Sequence, residues 1–401
     1  MMVSFARVGD LAEQIRGVTY GKEDASKTPT PGYLPVLRAG NITDFGLVFD
    51  DLVYVPEAKV AARQKVRKGD IVIAASSGSL DVVGKAAPAL AAFDGGFGAF
   101  CKVIRPTSKV DAAYLAQFFK TPSYRRTISS LAAGANINNL KSEHLDDLRV
   151  PLPPLPEQRR IAVILDQADA LRAKRREALA QLDSLTQSIF IEMFGDPAAN
   201  PRKWQIFPMS ELFADSPIFG TMIPAAAESG SWLCLRVASI QDWQLDLNDK
   251  KFVDLPADVV ERHGVKDGDL LMARAIATQE HLGKCIVARP GSERWAFDSH
   301  LMRLRFRADR ALPDFIRQML RTPGGRSLFL KASRKSSVQY NINTKEMATL
   351  ALPIPPIAIQ QTFVARIEAI ESLRATHQSA LAESDALFAS LQHRAFAGQL
   401  E

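Results

Sequence analysis

The sequence predicts an α+β protein with two mixed α/β heads separated by two long antiparallel α-helices, a coiled-coil strut with internal pseudo-two-fold symmetry. Two observations carry that prediction. The 401-residue chain matches itself at a spacing of about 200 residues, and each copy closes with a proline run followed by about 40 residues of helical pattern. The expected order is a head at 1–154, a long helix at 155–196, a head at 197–356 and a long helix at 357–401.

The repeat is read from paired segments. GYLPVLRAGNITDF from Gly32 answers GSWLCLRVASIQDW from Gly230, and KGDIVIA from Lys68 answers DGDLLMA from Asp267. Gly84-Lys85 matches Gly283-Lys284, Asn136-Ile137-Asn138 recurs as Asn341-Ile342-Asn343, and PLPPLPEQ from Pro151 reappears as PIPPIAIQ from Pro353. A period this long excludes a solenoid and implies a duplicated module with two similar heads.

Within each head, Gly-Asp followed by IVIA or LLMA reads as a turn entering a short buried strand. CKVIR and MRLRF read as further strands. VDAAYLAQFFKT and LPDFIRQMLRT have helical spacing and stop before Pro122 and Pro323. From Glu157 to Phe194 the chain contains neither Gly nor Pro, and Gly195-Asp196-Pro197 stops it. Ile161, Ile164, Ala168, Leu171, Arg175, Ala178, Leu182, Leu185 and Ile189 step by three and four, the spacing of a coiled-coil seam. The second copy places Phe363, Arg366, Ile370, Leu373, His377, Ala380, Ser384, Leu387 and Leu391 there, with Ile367, Leu381 and Phe388 adjacent. Arg175 and His377 are expected to set register. The alternative is that each helix is amphipathic and covers its own head.

Composition excludes several classes. Hydrophobic residues at 47% and charged residues at 23% fit neither a disordered nor a collagenous chain. Three scattered cysteines, Cys101, Cys234 and Cys285, without CxxC spacing argue against a disulfide framework or a zinc ribbon. The first residues lack the apolar core of a signal peptide and no run of about 18 apolar residues occurs, so a soluble cytoplasmic protein is expected.

Charge follows the same division. Residues 1–154 carry a net +4 and 198–356 a net +5, whereas 155–197 carry −1 and 357–401 carry −2. Within the second head, 289–335 holds 12 basic against 4 acidic residues. Cationic heads on a near-neutral strut point to a polyanion, because Lys and Arg that neutralise phosphates release counterions. The expected backbone-contacting cations are Lys102, Arg105, Arg125 and Arg126 in the first head, with Arg303 and Arg305 in the second.

Reading a base sequence also needs polar side chains that reach base edges. SSGSLDVVGK supplies Ser76, Ser77, Ser79 and Lys85, and RAIATQEHLGK at the matching place supplies Arg274, Gln279, His281 and Lys284. Their divergence within a shared frame suggests two different half-sites. A second candidate stretch holds Asn136, Asn138, Asn139 and Lys141, answered by Lys331, Arg334, Lys335, Gln339, Tyr340, Asn341 and Asn343.

No catalytic motif declares itself. Gly78 to Lys85 has one residue too many for a phosphate loop and no Ser or Thr after the lysine, so it reads as a turn. The six histidines lack metal-ligand spacing, and no catalytic residue, metal site or cofactor site is expected in this chain. The readings left open are a nuclease or methyltransferase with an unrecognised catalytic site, and a coiled-coil adaptor that touches no nucleic acid.

PLPPLPEQRRIAVILDQADALRAKRREAL, the IFIEMFGDP ending and their recurrence after the second head resemble a type I restriction-modification specificity subunit over essentially the whole chain. The resemblance implies two target-recognition domains, each binding half of a bipartite double-stranded DNA site, with two helices acting as a ruler. It also implies two modification subunits that use S-adenosylmethionine, and two restriction subunits that add ATP- and Mg-dependent translocation and cutting. Chemistry would then reside in those partners. Ala358-Ile359-Gln360-Gln361 departs from Pro156-Glu157-Gln158-Arg159 of the first copy and leaves the start of the second helix open.

Overall fold

The structure, a computed structural model, describes residues 4–132, 138–225, 228–335 and 340–399. The chain packs into two compact units, Met1–Glu177 with His377–Glu401, and Ala178–Thr376. Each unit contains one globular head and one half of each long helix.

In the first unit an antiparallel sheet orders Ala12–Arg16, Cys101–Pro106, Ile71–Ala74 and Ala86–Pro88. In the second, Phe213–Phe219, Leu301–Phe306, Leu270–Ala273 and Cys285–Val287 follow the same order. A second, three-stranded sheet is likewise shared. Tyr33–Leu37 lies between Val53–Pro56 and the parallel Gly96–Phe97, and Trp232–Leu235 lies between Phe252–Val253 and the parallel Trp295–Phe297. IVIA and LLMA are buried at every position, as strands covered on both faces must be. The expected head helices form at Ala112–Phe118 and Pro313–Arg321, and a second helix begins at Pro122 and at Pro323, where proline suits the first turn.

The long helices run over Leu155–Phe194 and Ile357–Phe396, about 60 Å each at 1.5 Å per residue. The second helix starts in register with the first despite its different opening residues, because the glutamine common to both openings makes the same contacts. Buried Gln158 accepts from Asp111 N at 2.8 Å and donates to Pro153 O at 2.7 Å. Buried Gln360 accepts from Leu312 N at 2.9 Å and donates to Arg310 O and Pro355 O.

Within each unit the helix halves pack on one another and also complete the core of the head. Ile161, Leu165 and Phe388 join Ile71, Ile104, Tyr114 and Leu115 in the first unit. Phe190, Phe194 and Phe363 form a ring cluster with Phe315 in the second, with centroids 4.9 to 6.3 Å apart. This double duty rotates the buried stripe by about one residue from the expected seam. Leu171, Leu185, Leu373 and Leu387 are exposed, while Arg172, Arg176 and Arg374 turn inward. Arg172 and Arg176 meet Asp385 in the first unit, and Arg374 and Arg321 meet Asp183 in the second. Arg175 and His377, the expected register devices, are half-buried, and Arg175 Nε and His377 Nδ1 have no hydrogen-bond partner.

Candidate nucleic-acid interface

The Gly-Asp turn that opens the central strand anchors each head. Asp70, 1% exposed, accepts from Arg67 N at 2.8 Å and binds Arg105 through two hydrogen bonds of 2.8 Å. Asp269, also 1% exposed, accepts from Lys266 N at 2.8 Å and from Arg305 Nε and Nη2 at 2.7 and 2.9 Å. Bonding to the aspartate raises the pKa of each arginine above its usual value, against the opposing effect of burial.

Four of the expected backbone-contacting cations are therefore engaged inside the fold. Arg105 and Arg305 hold the buried aspartates. Lys102 is buried beside Ser142, its pKa pulled down by burial and by Arg16. Arg303 is buried and donates to the carbonyls of Arg262 and Gly264. The physical reason is position: these residues lie on Cys101–Pro106 and Leu301–Phe306, which have a hydrogen-bonded neighbour on each side.

The two candidate stretches of each head come together. Ser76–Ser77 pairs antiparallel with Asn138–Asn139, and Leu140 N donates to Ala75 O at 2.8 Å. Ala275–Ile276 pairs with Tyr340–Asn341, which in turn pairs with Arg334–Lys335, and Ile342 N donates to Arg274 O at 3.0 Å. Sequence spacing of about 60 residues gave no sign of this pairing. Around these ribbons Ser79, Arg126, Lys141, Gln279, Lys331 and Asn343 are exposed, and Ser76, Ser77, His281, Tyr340 and Asn341 are half-buried. Asn136 and Gln339 lie outside the described residues, as do the side chains of Asn138, Arg334 and Lys335.

The loop after each ribbon strand is closed by Gly84 and Gly283 at φ +79° and +77°, the left-handed region that favours glycine. A Cβ on either would sit 2.3 Å from Ile128 Cγ2 or 2.2 Å from the Phe329 ring, so helix and loop touch there. Arg125 donates to Val83 O and Asp81 O at 2.8 and 3.0 Å. Arg326 donates to the carbonyls of Leu282, Gln279 and Glu280. These arginines brace the loops. Lys85 pairs with Asp44 at 2.8 Å, and buried Lys284 lies 3.5 Å from Asp242.

Two more candidates have internal partners. The Arg274 guanidinium stacks 4.0 Å from the Phe219 centroid while Nε donates to Ser299 O at 2.9 Å. Asn343 caps the helix Thr344–Thr349, accepting from Glu346 N at 2.9 Å. A groove of about 780 Å³ in the first unit, lined by Phe45, Phe49, Leu90 and Phe93 with Lys120 and Arg176, includes none of the ribbon residues.

Among the described residues no group of three or more His, Cys, Asp or Glu is placed to hold a metal ion, and no helix is long and apolar enough to cross a membrane. The three cysteines are free and buried, and burial pushes each thiol up to about 12.

Residues 3–181 match the family described as the type I restriction modification DNA specificity domain. The chain is 33% identical to the EcoKI specificity subunit of Escherichia coli K12, covering 98% of this chain and 88% of that one. It is 30% identical to the StySPI specificity subunit of Salmonella potsdam over the same shares. The crystal structure of a type I restriction-modification S subunit from M. genitalium superposes with a TM-score of 0.58 at 14% identity, over 98% of this chain and 96% of the other. A chain from a structure of type I restriction-modification complex assembly gives 0.51 at 17% identity, over 99% and 98%.

Proposed function

Because the chain belongs to the type I restriction-modification specificity subunits, we propose that it selects the DNA sequence on which a methylating and cutting complex acts. The target-recognition domains are residues 1–154 and 197–356, each reading one half of a bipartite duplex site. The single observation that carries this reading is the ribbon found in each head. The same backbone frame gathers two polar segments in both, and their side chains differ between copies. A shared frame with divergent tips is what two different half-sites require.

The long helices set the spacer between half-sites and dock the partners. Leu171 and Leu185 on the first helix, and Leu373 and Leu387 on the second, are about half exposed. They stand at equal distances from Gln158 and Gln360, and so offer two equivalent apolar footholds to two modification subunits. Two restriction subunits complete the assembly. Methyl transfer and cleavage, with S-adenosylmethionine, ATP and Mg, belong to these partners, and the complex works in the cytoplasm.

Selection from a random-sequence duplex library tests the reading. The full chain with its modification partner enriches a motif of two short half-sites around an unspecified spacer, and the purified chain alone neither cleaves DNA nor transfers methyl groups when given metal and S-adenosylmethionine. Enrichment of one continuous motif counts against two independent heads, and either activity in the isolated chain favours an enzyme.

The two classes of arginine separate by salt dependence. Replacing Arg334 and Lys335 weakens all duplexes together and lowers the salt slope by about one to two counterions. Arg326→Ala removes the brace on 279–282, blurs one half-site, and leaves the salt slope unchanged, because that guanidinium neutralises no phosphate.

A further inference from the structure

One position beside each ribbon has a fixed backbone and an outward side chain, and it lies in neither polar stretch. Phe100 ends a tight turn in which Cys101 N donates to Gly98 O at 2.8 Å, and His300 ends the matching turn, with Leu301 N on Asp298 O at 3.0 Å. Both turns are bonded on two sides. Gly98 N and Asp298 N donate to Leu37 O and Leu235 O at 2.8 and 3.0 Å. Toward the ribbon, Phe100 O accepts from Ala75 N at 2.8 Å and Ser76 N at 3.1 Å, and His300 O accepts from Arg274 N at 2.9 Å. The Arg274 side chain also supports this turn through Ser299 O.

The side chains at this site face solvent: Phe100 is 66% exposed and the His300 side chain 54%. Leaving a phenyl ring in water forgoes its burial free energy, and the turn that presents it is already ordered, so a partner pays little further backbone entropy on contact. Positions that hold the fold keep their chemistry between copies, as Asp70 and Asp269, Gln158 and Gln360, and Arg125 and Arg326 all do. This position keeps its backbone bonds and changes from an apolar ring to a hydrogen-bonding one.

We infer that Phe100 and His300 are additional specificity-determining residues, Phe100 making an apolar contact with a base of one half-site and His300 a hydrogen bond to a base edge of the other. The inference rests on the reading of the two heads as target-recognition domains. Apolar side chains meet thymine methyl groups or wedge against base steps, and imidazole offers a donor and an acceptor, so the two residues select by different chemistry. His300 is oriented by Asp298, whose Oδ1 accepts from His300 N at 3.0 Å and whose Oδ2 lies 3.5 Å from Nδ1.

The test compares the wild type, Phe100→Ala, Phe100→Leu and His300→Ala, each as the full chain with its modification partner, by selection from one random-sequence duplex library. Phe100→Ala loses base preference at one or two positions of a single half-site and binds the wild-type motif about tenfold more weakly. Phe100→Leu restores part of that preference, and His300→Ala blurs the other half-site alone. Circular dichroism and co-purification with the modification partner stay at wild-type levels, which separates lost base contact from misfolding or a lost protein contact. Unchanged motifs in both alanine variants overturn the assignment, as does loss of partner binding in Phe100→Ala. If the wild type itself enriches no bipartite motif, the reading of the heads fails and this assignment fails with it.

Discussion

Removing residues 174–180 and 376–382, one heptad from the middle of each long helix, shortens the recognised spacer by about three base pairs while both half-sites persist. Seven residues shorten a helix by about 10 Å at 1.5 Å per residue, against about 3.4 Å per base pair along a duplex. A heptad is the deletion to make because it turns the helix by only about 20°, so the inward stripe stays inward on both sides of the join. Four residues would turn one half of each helix by about 40° against the other and break the continuity of that stripe. The change is read by mapping methylated positions in cells carrying the variant with its modification partner. An unaltered spacer refutes the helices as a ruler, and altered half-sites refute the separation of reading from measuring.

Asp269→Ala destabilises the second unit by about 3–5 kcal/mol, the range for breaking one side of a buried ion pair. The carboxylate is 1% exposed, takes two hydrogen bonds from Arg305 and one from Lys266 N, and lies 4.0 Å from the buried Arg303. Its loss leaves the Lys266 N–H and the Nε and Nη2 groups of Arg305 without their acceptor, while Arg305 Nη1 keeps Asp215 at 2.7 Å. Asp70→Ala does the same in the first unit through Arg105. Urea titration with a tryptophan signal reports the second unit selectively, since Trp204, Trp232, Trp243 and Trp295 all lie within 178–376. A combined Asp269→Leu, Arg305→Met variant recovers much of the loss, because a well-packed apolar pair is often as stable as a buried ionic one. A loss under 1 kcal/mol in Asp269→Ala would show that the pair is not what holds the strand.

The expected cations that have partners inside the fold share a cause. Lys102 and Arg105 flank Val103-Ile104, and Arg303 and Arg305 flank Leu304, so each strand reads as open to water, yet both strands are internal and the four cations meet acceptors within the head. The Asp70–Arg105 and Asp269–Arg305 pairs were visible only as a Gly-Asp repeated before each buried strand, with an arginine about 35 residues later. The expected helical seam fell about one residue away from the inward stripe for a similar reason. A three-and-four spacing shows that a helix has a buried face, but a face shared between another helix and a head has no distinct period.

The sequence by itself determined the duplication, the heads and long helices, the proline-glutamine openings and the excess of positive charge in the heads. These are local or periodic properties, and repetition at about 200 residues supplies an internal check on each. Only the tertiary structure decided which cations remain outside, that Ser76–Ser77 meets Asn138–Asn139 as Ala275–Ile276 meets Tyr340–Asn341, and that Phe100 and His300 stand beside those ribbons. Strand pairing across tens of residues is set by packing of the whole head, because each backbone hydrogen bond is nearly the same whatever side chains flank it, and the choice of partner is fixed by the core beneath.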